Sequence, residues 1–403
     1  MLIGIVGKPS AGKSTFLNAA CMTNAKVGSY PFTTIEANPG ISYVKRKCIC
    51  QELNVNDEPK NSTCEAGIRF APVDLLDVAG LVPGAHEGKG MGNKFLNDLS
   101  RASILLHIVD FSGSLNEKGE DVKPGTRDPL DDMKFLEDEI SQWIKKIITR
   151  TDWDRFVRTT HMNKIPIQSA ITERLTGIGV KEFQVSIALK QANLTTKSIR
   201  DWNDDELLSF SRSLQHISKP IIIVANKVDK KEAIENYERI SKMPEYKGNI
   251  FPCSALAEFY LRTFANDGII DYIPGAPDFK IKDPESISQK KKITLERMRE
   301  EILSKFGSTG VQDALNKAIF DVLDYIYVYP VNDANKFTDH DGRVLPDVFL
   351  VKKGTKLIEF VAEKIHTDLA EHFIFGVNAK NKKRLGEDYE LQPDDVIKIQ
   401  AAK

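Results

Sequence analysis

The sequence predicts an α/β fold with a doubly wound sheet built around a phosphate loop. A helical insertion interrupts it, and a small strand-rich domain follows. Three observations lead there. The stretch "GIVGKPSAGKST" at residues 4–15 fills the pattern of glycine, four residues, then Gly-Lys-Ser/Thr. A second apolar run, Ile221-Ile222-Ile223-Val224, ends in Asn226-Lys227-Val228-Asp229. From about residue 325 the pattern changes from strands alternating with helices to short strands separated by turns.

The first strand is the apolar run Leu2-Ile3-Gly4-Ile5-Val6, and Ser14–Ala20 reads as the helix that follows. Between them Gly7, Lys8, Pro9, Ser10, Ala11, Gly12, Lys13, Ser14 and Thr15 form the candidate phosphate cradle. Glycines let successive backbone N–H groups converge on phosphate oxygens at the positive end of a helix. Lys13 adds a point charge, and the Ser14 hydroxyl is a candidate Mg²⁺ ligand.

Val73-Asp74-Leu75-Leu76 reads as the next strand. Asp77-Val78-Ala79-Gly80 after it is an Asp-x-x-Gly element, expected to hold Mg²⁺ through water from Asp77 and to present the Gly80 N–H to a terminal phosphate. Glycines at 84, 88, 90 and 92 follow, a loop without intrinsic stiffness that a γ-phosphate can order and release. Upstream, "SYPFTTIEANPG" offers Thr33 and Thr34, with Thr34 favoured as a further Mg²⁺ ligand over a reading as an ordinary surface loop.

The base is read at Asn226, Lys227 and Asp229. A carboxylate at Asp229 accepts from guanine N1–H and its exocyclic amine, donors that adenine lacks there, and a site left unpaired by the wrong ligand discriminates on the order of 10⁴-fold. Ser254, Ala255 and Leu256, after Ile250-Phe251, are positioned to offer backbone N–H groups to the guanine oxygen. A phosphotransferase of small metabolites is disfavoured, because it has no use for the Asn-Lys-x-Asp element.

Bulk properties agree with a multidomain chain outside the membrane. The length of 403 residues suits two or three domains, and the net charge of −1 encodes no global attraction to nucleic acid or lipid. Five cysteines argue against a disulfide framework and for a reducing compartment, and no apolar run reaches spanning length. With the first strand consumed by the phosphate loop, no leader is expected, and the cytoplasm is the expected location.

Taken together, "GKPSAGKST", "YPFTTIEANPG", "DVAGLVPGAHEGKGMGNKFL" and "NKVD" resemble the Obg-related GTPases, most of all the YchF-like branch with a carboxyl-terminal TGS domain. The resemblance covers 1–127 and 217–324 as the two parts of a GTPase domain, with 128–216 as a helical insertion and 325–403 as a TGS-like β-grasp domain. It implies GTP and GDP with Mg²⁺ as ligands, hydrolysis of GTP as a conformational switch, and ribosome or RNA contact through the TGS domain and the insertion. YchF itself carries a degenerate base motif and prefers ATP. The intact Asp229 here implies a GTP-preferring cousin.

Two departures bear on mechanism. Leu81 stands where many GTPases place a water-orienting glutamine, so slow intrinsic turnover is expected, with Lys13, Thr34 and Gly80 as catalytic residues and the missing group supplied by another switch residue, an ion or a bound partner; His86 is the nearest candidate if it is not merely solvated. Without that group the alternative is a nucleotide-gated binding module. Some Obg-related proteins support a potassium ion with an asparagine where this chain has Ser10, so potassium activation is not expected.

In the insertion, Met133, Leu136, Ile140, Trp143, Ile144 and Ile147 recur at helical spacing, as do Val180, Phe183 and Ile187, and Trp143 and Trp153 are expected in a core. "GSTGVQDALNKAIFDVL" should close the nucleotide domain with a helix. Strands are then expected at Tyr325–Val331, Val348–Val351, Phe373–Val377 and Val396–Gln400, with one helix over Thr355–Ile365. Lys380, Lys382, Lys383 and Arg384 either meet phosphate or form a solvated face. Cys48, Cys50 and Cys64 either hold zinc, for which no fourth ligand is evident, or sit incidentally in a β-hairpin, so zinc is left out of the expected cofactors.

Overall fold

The computed structural model describes residues 1–21, 40–78, 98–150 and 152–402, which group into two compact units. The first comprises residues 1–20, 74–78, 98–150 and 152–314 with Gly40; the second comprises Cys21, 41–73 and 315–402. Ile41–Val73, grouped with the first GTPase segment on sequence, thus clusters with the carboxyl-terminal residues. Among the described residues no helix is long and apolar enough to cross a membrane.

The first unit is built on parallel strands. β1 (Leu2–Val6) pairs on one side with the end of β4 (Ile68–Asp77) and on the other with β5 (Ile104–Asp110), which leads to β6 (Ile221–Asn226) and β7 (Ile250–Cys253). β5 and β6 are buried along their whole length, β6 as its apolar run Ile221–Ala225 requires, and β5 with His107 and Asp110 buried among its apolar residues. Strand order reverses around β1, so its carboxyl end is the crevice where such sheets receive ligands.

Among the described residues the insertion contributes five α-helices that pack onto the sheet's core: α3 (Pro129–Ile148), α4 (Trp153–Met162), α5 (Ile167–Leu175), α6 (Glu182–Gln191) and α7 (Asp204–Ser218). Helix α1 (Lys13–Cys21) belongs to the phosphate loop and α2 (Ile49–Leu53) to the second unit, while α8 (Lys231–Ile240) follows β6, and the short strands β8 (Ile270–Asp271) and β9 (Lys280–Ile281) pair with each other in the first unit. Asp128 caps α3 by accepting from the Leu130 N–H, and Pro129 occupies the first turn where its missing donor costs nothing. Met133, Leu136, Ile140, Trp143 and Ile144 are buried with Val109 and Phe111 of the sheet side, while Trp153 is half-buried and stacks on Phe156.

One stripe is corrected. Helix α6 buries Val185, Ala188 and Leu189, whereas Phe183 and Ile187 are 57% and 41% exposed and Val180 precedes the helix. Two stripes on this helix satisfy three- and four-residue spacing, and the side taken up by the insertion core is the one through Val185.

In the second unit, β10 (Tyr325–Val331) and β14 (Asp395–Ala401) run parallel at the centre of a five-stranded sheet. β11 (Phe349–Lys352), β12 (Phe373–Asn378) and the unanticipated β13 (Arg384–Leu385) join antiparallel. The expected helix is Leu357–Phe360, continued by a π-helical Val361–Ile365, and its Leu357, Phe360 and Val361 pack on Ile326, Val328 and Ile397. Closing "GSTG…" leads to Val311–Asn316 and a π-helical Lys317–Val322, and the chain passes into the second unit at Leu315. Ile41–Val73 contributes β2 (Gly40–Lys47, from its second residue), α2, β3 (Thr63–Glu65) and the start of β4; Tyr327 Oη donates to the Val44 carbonyl at 2.7 Å.

Candidate nucleotide site

The phosphate loop requires its glycines for two separate reasons. Gly7 has φ +148°, and a Cβ there would lie 2.3 Å from the Ile108 carbonyl; Gly12 has φ +102°, and its Cβ would lie 2.2 Å from Asn226 Nδ2. Lys13 opens α1 and folds back to donate to the Gly7 and Lys8 carbonyls at 2.9 and 2.8 Å, which holds its ammonium over the loop. Burial lowers the Lys13 pKa against the opposing pull of Asp77; burial also raises the Asp77 carboxyl, against the pull of Lys13. Asp77 is exposed at the end of β4, in register with Ile5, and Ser14 is exposed in the first turn of α1. An exposed hydroxyl and carboxylate beside a lysine fit a hydrated divalent cation.

Two loop side chains face away from that cradle. Lys8 is 8% exposed and pairs with Asp132 of α3, so its ammonium ties the loop to the insertion. Burial raises the Asp132 carboxyl, with Lys8 opposing. Pro9 has no N–H to offer and lies against Gly119, where a Cβ would meet it at 2.8 Å. Ser10 takes φ +61°, and Thr15 is half-buried in the first turn of α1.

At the Asn-Lys-x-Asp element Asn226 is the keystone. Buried at the end of β6, it donates from Nδ2 to the Ala11 carbonyl at 2.9 Å and accepts at Oδ1 from the Ala255 N–H at 3.1 Å. One side chain therefore fixes the phosphate loop to the loop after β7. Asp229 Oδ1 accepts from Ser254 Oγ at 2.9 Å, and the same hydroxyl caps α9 (Ala255–Asn266) by accepting from the Ala257 N–H. Of the amides expected to face guanine, that of Ser254 bonds to the Thr309 carbonyl and that of Ala255 to Asn226. Lys227, at φ +70°, places its ammonium 3.0 Å from Asp110 at the end of β5. Asp110 in turn accepts from the Ser112 and Ser114 hydroxyls at 2.6 and 2.7 Å, bonds that with Lys227 hold its pKa down against burial.

Asp229, Ser254 and Leu256 open onto a cavity of about 490 Å³ whose far wall is α10 (Gln289–Met298), with Ile293, Thr294 and Arg297. Leu256 and Ile293 are each 49% exposed there, apolar surfaces suited to the faces of a base. On the buried side of α9 is Glu258, fully buried, which accepts from Arg262 at 2.6 Å and Tyr272 at 2.7 Å and also from Thr309. Thr34, Gly80, Leu81 and His86 lie outside the described residues.

An uncharacterized GTP-binding protein of Methanocaldococcus jannaschii is 44% identical over 402 residues, covering 100% of this chain and 99% of its own. A Schizosaccharomyces pombe GTP-binding protein is 36% identical over 364 residues, 88% of each chain. Family models agree: "50S ribosome-binding GTPase" matches residues 2–150, "Obg-like GTPase YGR210-like, G4 motif-containing domain" matches 224–333, and "TGS domain" matches 334–401. The chain belongs to the Obg-like GTPases. This Obg-like GTPase carries a carboxyl-terminal TGS domain and is a GTP-binding protein. A GTP-binding protein from Pyrococcus horikoshii shares its fold over the full length of both chains, with TM-score 0.77 and 37% identity. Obg-like ATPase 1 of Gallus gallus is 25% identical over 92% of this chain and 81% of its own.

Sequence reasoning missed Asp132, Asp110, Glu258 and the wall from α10. For Asp110 a signal existed: a carboxylate ending an apolar strand, followed by serines at alternate positions, "VDFSGS". In the TGS domain three of the four cations of the basic loop already have partners. Lys380 meets Glu52 at 3.4 Å, Lys382 donates to the Ala334 carbonyl, and Arg384 lies over the Phe375 ring at 4.5 Å.

Proposed function

We propose that this chain hydrolyses GTP to GDP and phosphate with Mg²⁺, slowly when alone, and uses the change as a conformational switch toward a ribosomal or RNA partner in the cytoplasm. The observation that carries the reading is the Asn226 bridge from Ala11 to Ala255, since it couples the phosphate loop to the base-reading loop in one rigid frame. Lys13 supplies charge over the loop, Ser14 and Asp77 would hold the divalent ion together with Thr34, and the backbone amides of the loop and of Gly80 would hold the phosphates. The ion, when bound, neutralises charge on the phosphates. Asp229, oriented by Ser254, would read guanine.

Leu81 cannot orient water, so the group completing the site is another switch residue, with His86 the nearest, an ion, or a group from the partner. Leu81 also favours a second reading, in which nucleotide only gates binding and turnover is negligible. Sedimentation with ribosomes under GTP, GDP and no nucleotide, with turnover measured in the same samples, tests both. The switch predicts co-sedimentation that depends on the nucleotide and GDP formation accelerated by ribosomes. Nucleotide-dependent sedimentation without GDP formation leaves the gated module standing, and sedimentation indifferent to nucleotide removes the switch.

A further inference from the structure

The second unit holds a side-chain cluster that nucleotide chemistry does not use. Cys48, Cys50, Asp57 and Cys64 bring four ligand atoms within 4.8 Å of one another. Cys48 Sγ lies 3.3 Å from Asp57 Oδ2, and Cys50 Sγ lies 4.0 Å from Cys64 Sγ. In a tetrahedral zinc site with Zn–S near 2.3 Å and Zn–O near 2.0 Å, sulfur–sulfur edges are about 3.8 Å and sulfur–oxygen edges about 3.5 Å. Both observed separations sit within a few tenths of an ångström of those edges.

We propose that Cys48, Cys50, Cys64 and Asp57 form a closed, structural zinc site. The missing fourth ligand is Asp57, seven residues beyond Cys50 and seven before Cys64, and the backbone explains how it arrives. Cys48 follows β2 in extended conformation at the start of α2, and Cys50 lies in the first turn of that helix. Asn54 then takes the left-handed region and turns the chain back, so that Asp57 returns to Cys48. Cys64 comes from the other side on the hairpin β3–β4, whose turn residues Ala66 and Gly67 have φ +49° and +75°. The Cys48 N–H donates to the Gly67 carbonyl at 2.8 Å, which pins the hairpin to the start of α2.

The surroundings suit a metal better than simple packing. Buried free cysteines normally act as small apolar groups. Here a carboxylate touches a thiol, and Arg69, with a fully buried side chain, donates to the same Asp57 oxygen at 2.7 Å. That guanidinium orients the carboxylate and offsets part of the negative charge of three thiolates and a carboxylate around a dication. The other Arg69 nitrogen donates to the Leu345 carbonyl at 2.7 Å, so the ligand cage is anchored within its own unit. A polar cavity of about 540 Å³, lined by Cys50, Asp57 and Cys64 with Gln51 and Asn54, gives an ion a path in. A disulfide does not account for the cluster, since a bonded pair needs sulfurs about 2.05 Å apart. All four positions belong to one unit, and closing them would fasten the stretch from 54 to 62, which lacks helix and strand, to α2 and the hairpin.

The test is the metal content of the full-length chain purified under reductant, followed by chelation and titration of the apoprotein with Co²⁺. One zinc per chain is expected, and Co²⁺ should give thiolate charge-transfer absorption and the visible bands of a tetrahedral ion. Cys64→Ser should lose stoichiometric zinc, while Cys253→Ser, buried elsewhere, should keep it. If Cys64→Ser does not fold, mass-spectrometric alkylation of the wild-type chain decides: zinc should shield Cys48, Cys50 and Cys64 together, and chelation should expose them together. Substoichiometric zinc after incubation with the metal, octahedral Co²⁺ spectra, unchanged zinc in Cys64→Ser, or alkylation indifferent to chelation would each overturn the proposal.

Discussion

Replacing Asn226 by alanine removes the side chain that, among the described residues, joins the phosphate loop to the loop after β7. Two hydrogen bonds go with it, to the Ala11 carbonyl at 2.9 Å and from the Ala255 N–H at 3.1 Å, in a place where Asn226 is 4% exposed. A buried polar group left unpaired costs about 1–3 kcal/mol, and water entering the vacated site from the cleft recovers part of it, so the two together cost about 2–3 kcal/mol. If the ordered loops are what binds nucleotide, that cost appears as a guanine nucleotide affinity roughly 30- to 150-fold weaker, at about 1.4 kcal/mol per factor of ten. Asn226→Asp sharpens the test. It keeps the acceptor for Ala255 but sets a carboxylate oxygen against the Ala11 carbonyl, so it should weaken binding at least as much as alanine does. Titration of a fluorescent GDP analogue, with thermal unfolding in parallel, reads both variants. Wild-type affinity in either, with the fold intact, would refute the bridge as the frame of the site.

Asp229→Asn should lose guanine nucleotide affinity and gain xanthine nucleotide affinity, because the amide pairs with the altered base edge; competition binding with the two triphosphates checks this. Lys13→Ala and Ser14→Ala should both lose hydrolysis, and Ser14→Ala should chiefly raise the Mg²⁺ concentration needed, which a metal titration of turnover measures. His107 is fully buried in β5, and its pKa is lowered to about 3 by burial first and then by Lys13 and Lys8. Its folded-state pKa lies below the unfolded value near 6.5, so the unfolded chain binds the extra proton and stability falls as pH drops from about 6.5 toward 3. The loss should be about 2 kcal/mol at pH 5 relative to pH 7 and should shrink in His107→Leu. Urea unfolding followed by tryptophan fluorescence measures it, because Trp143, Trp153 and Trp202 all lie in the first unit.

The parts legible in the sequence were those set by local rules. Gly7 and Gly12 mark backbone conformations that side chains rarely adopt, and apolar runs such as Ile221–Val224 mark strands covered on both faces. Pairings across the chain were not legible. Lys8 finds Asp132 a hundred residues and more downstream, Lys227 finds Asp110, and Asp57 joins three cysteines only because Asn54 reverses the chain. Spacing left the phase of α6 undecided, since the stripe through Phe183 and the stripe through Val185 fit the helical period equally, and only packing against the insertion core selects between them.

The most direct measurement is a single-turnover time course with enzyme in excess over GTP and Mg²⁺ present, run beside ATP and beside Lys13→Ala. The site as built predicts conversion of GTP to GDP and phosphate at a slow but finite rate, no comparable conversion of ATP, and loss of the reaction in Lys13→Ala. GDP formation no faster than in Lys13→Ala, or ATP consumed as readily as GTP, would contradict it.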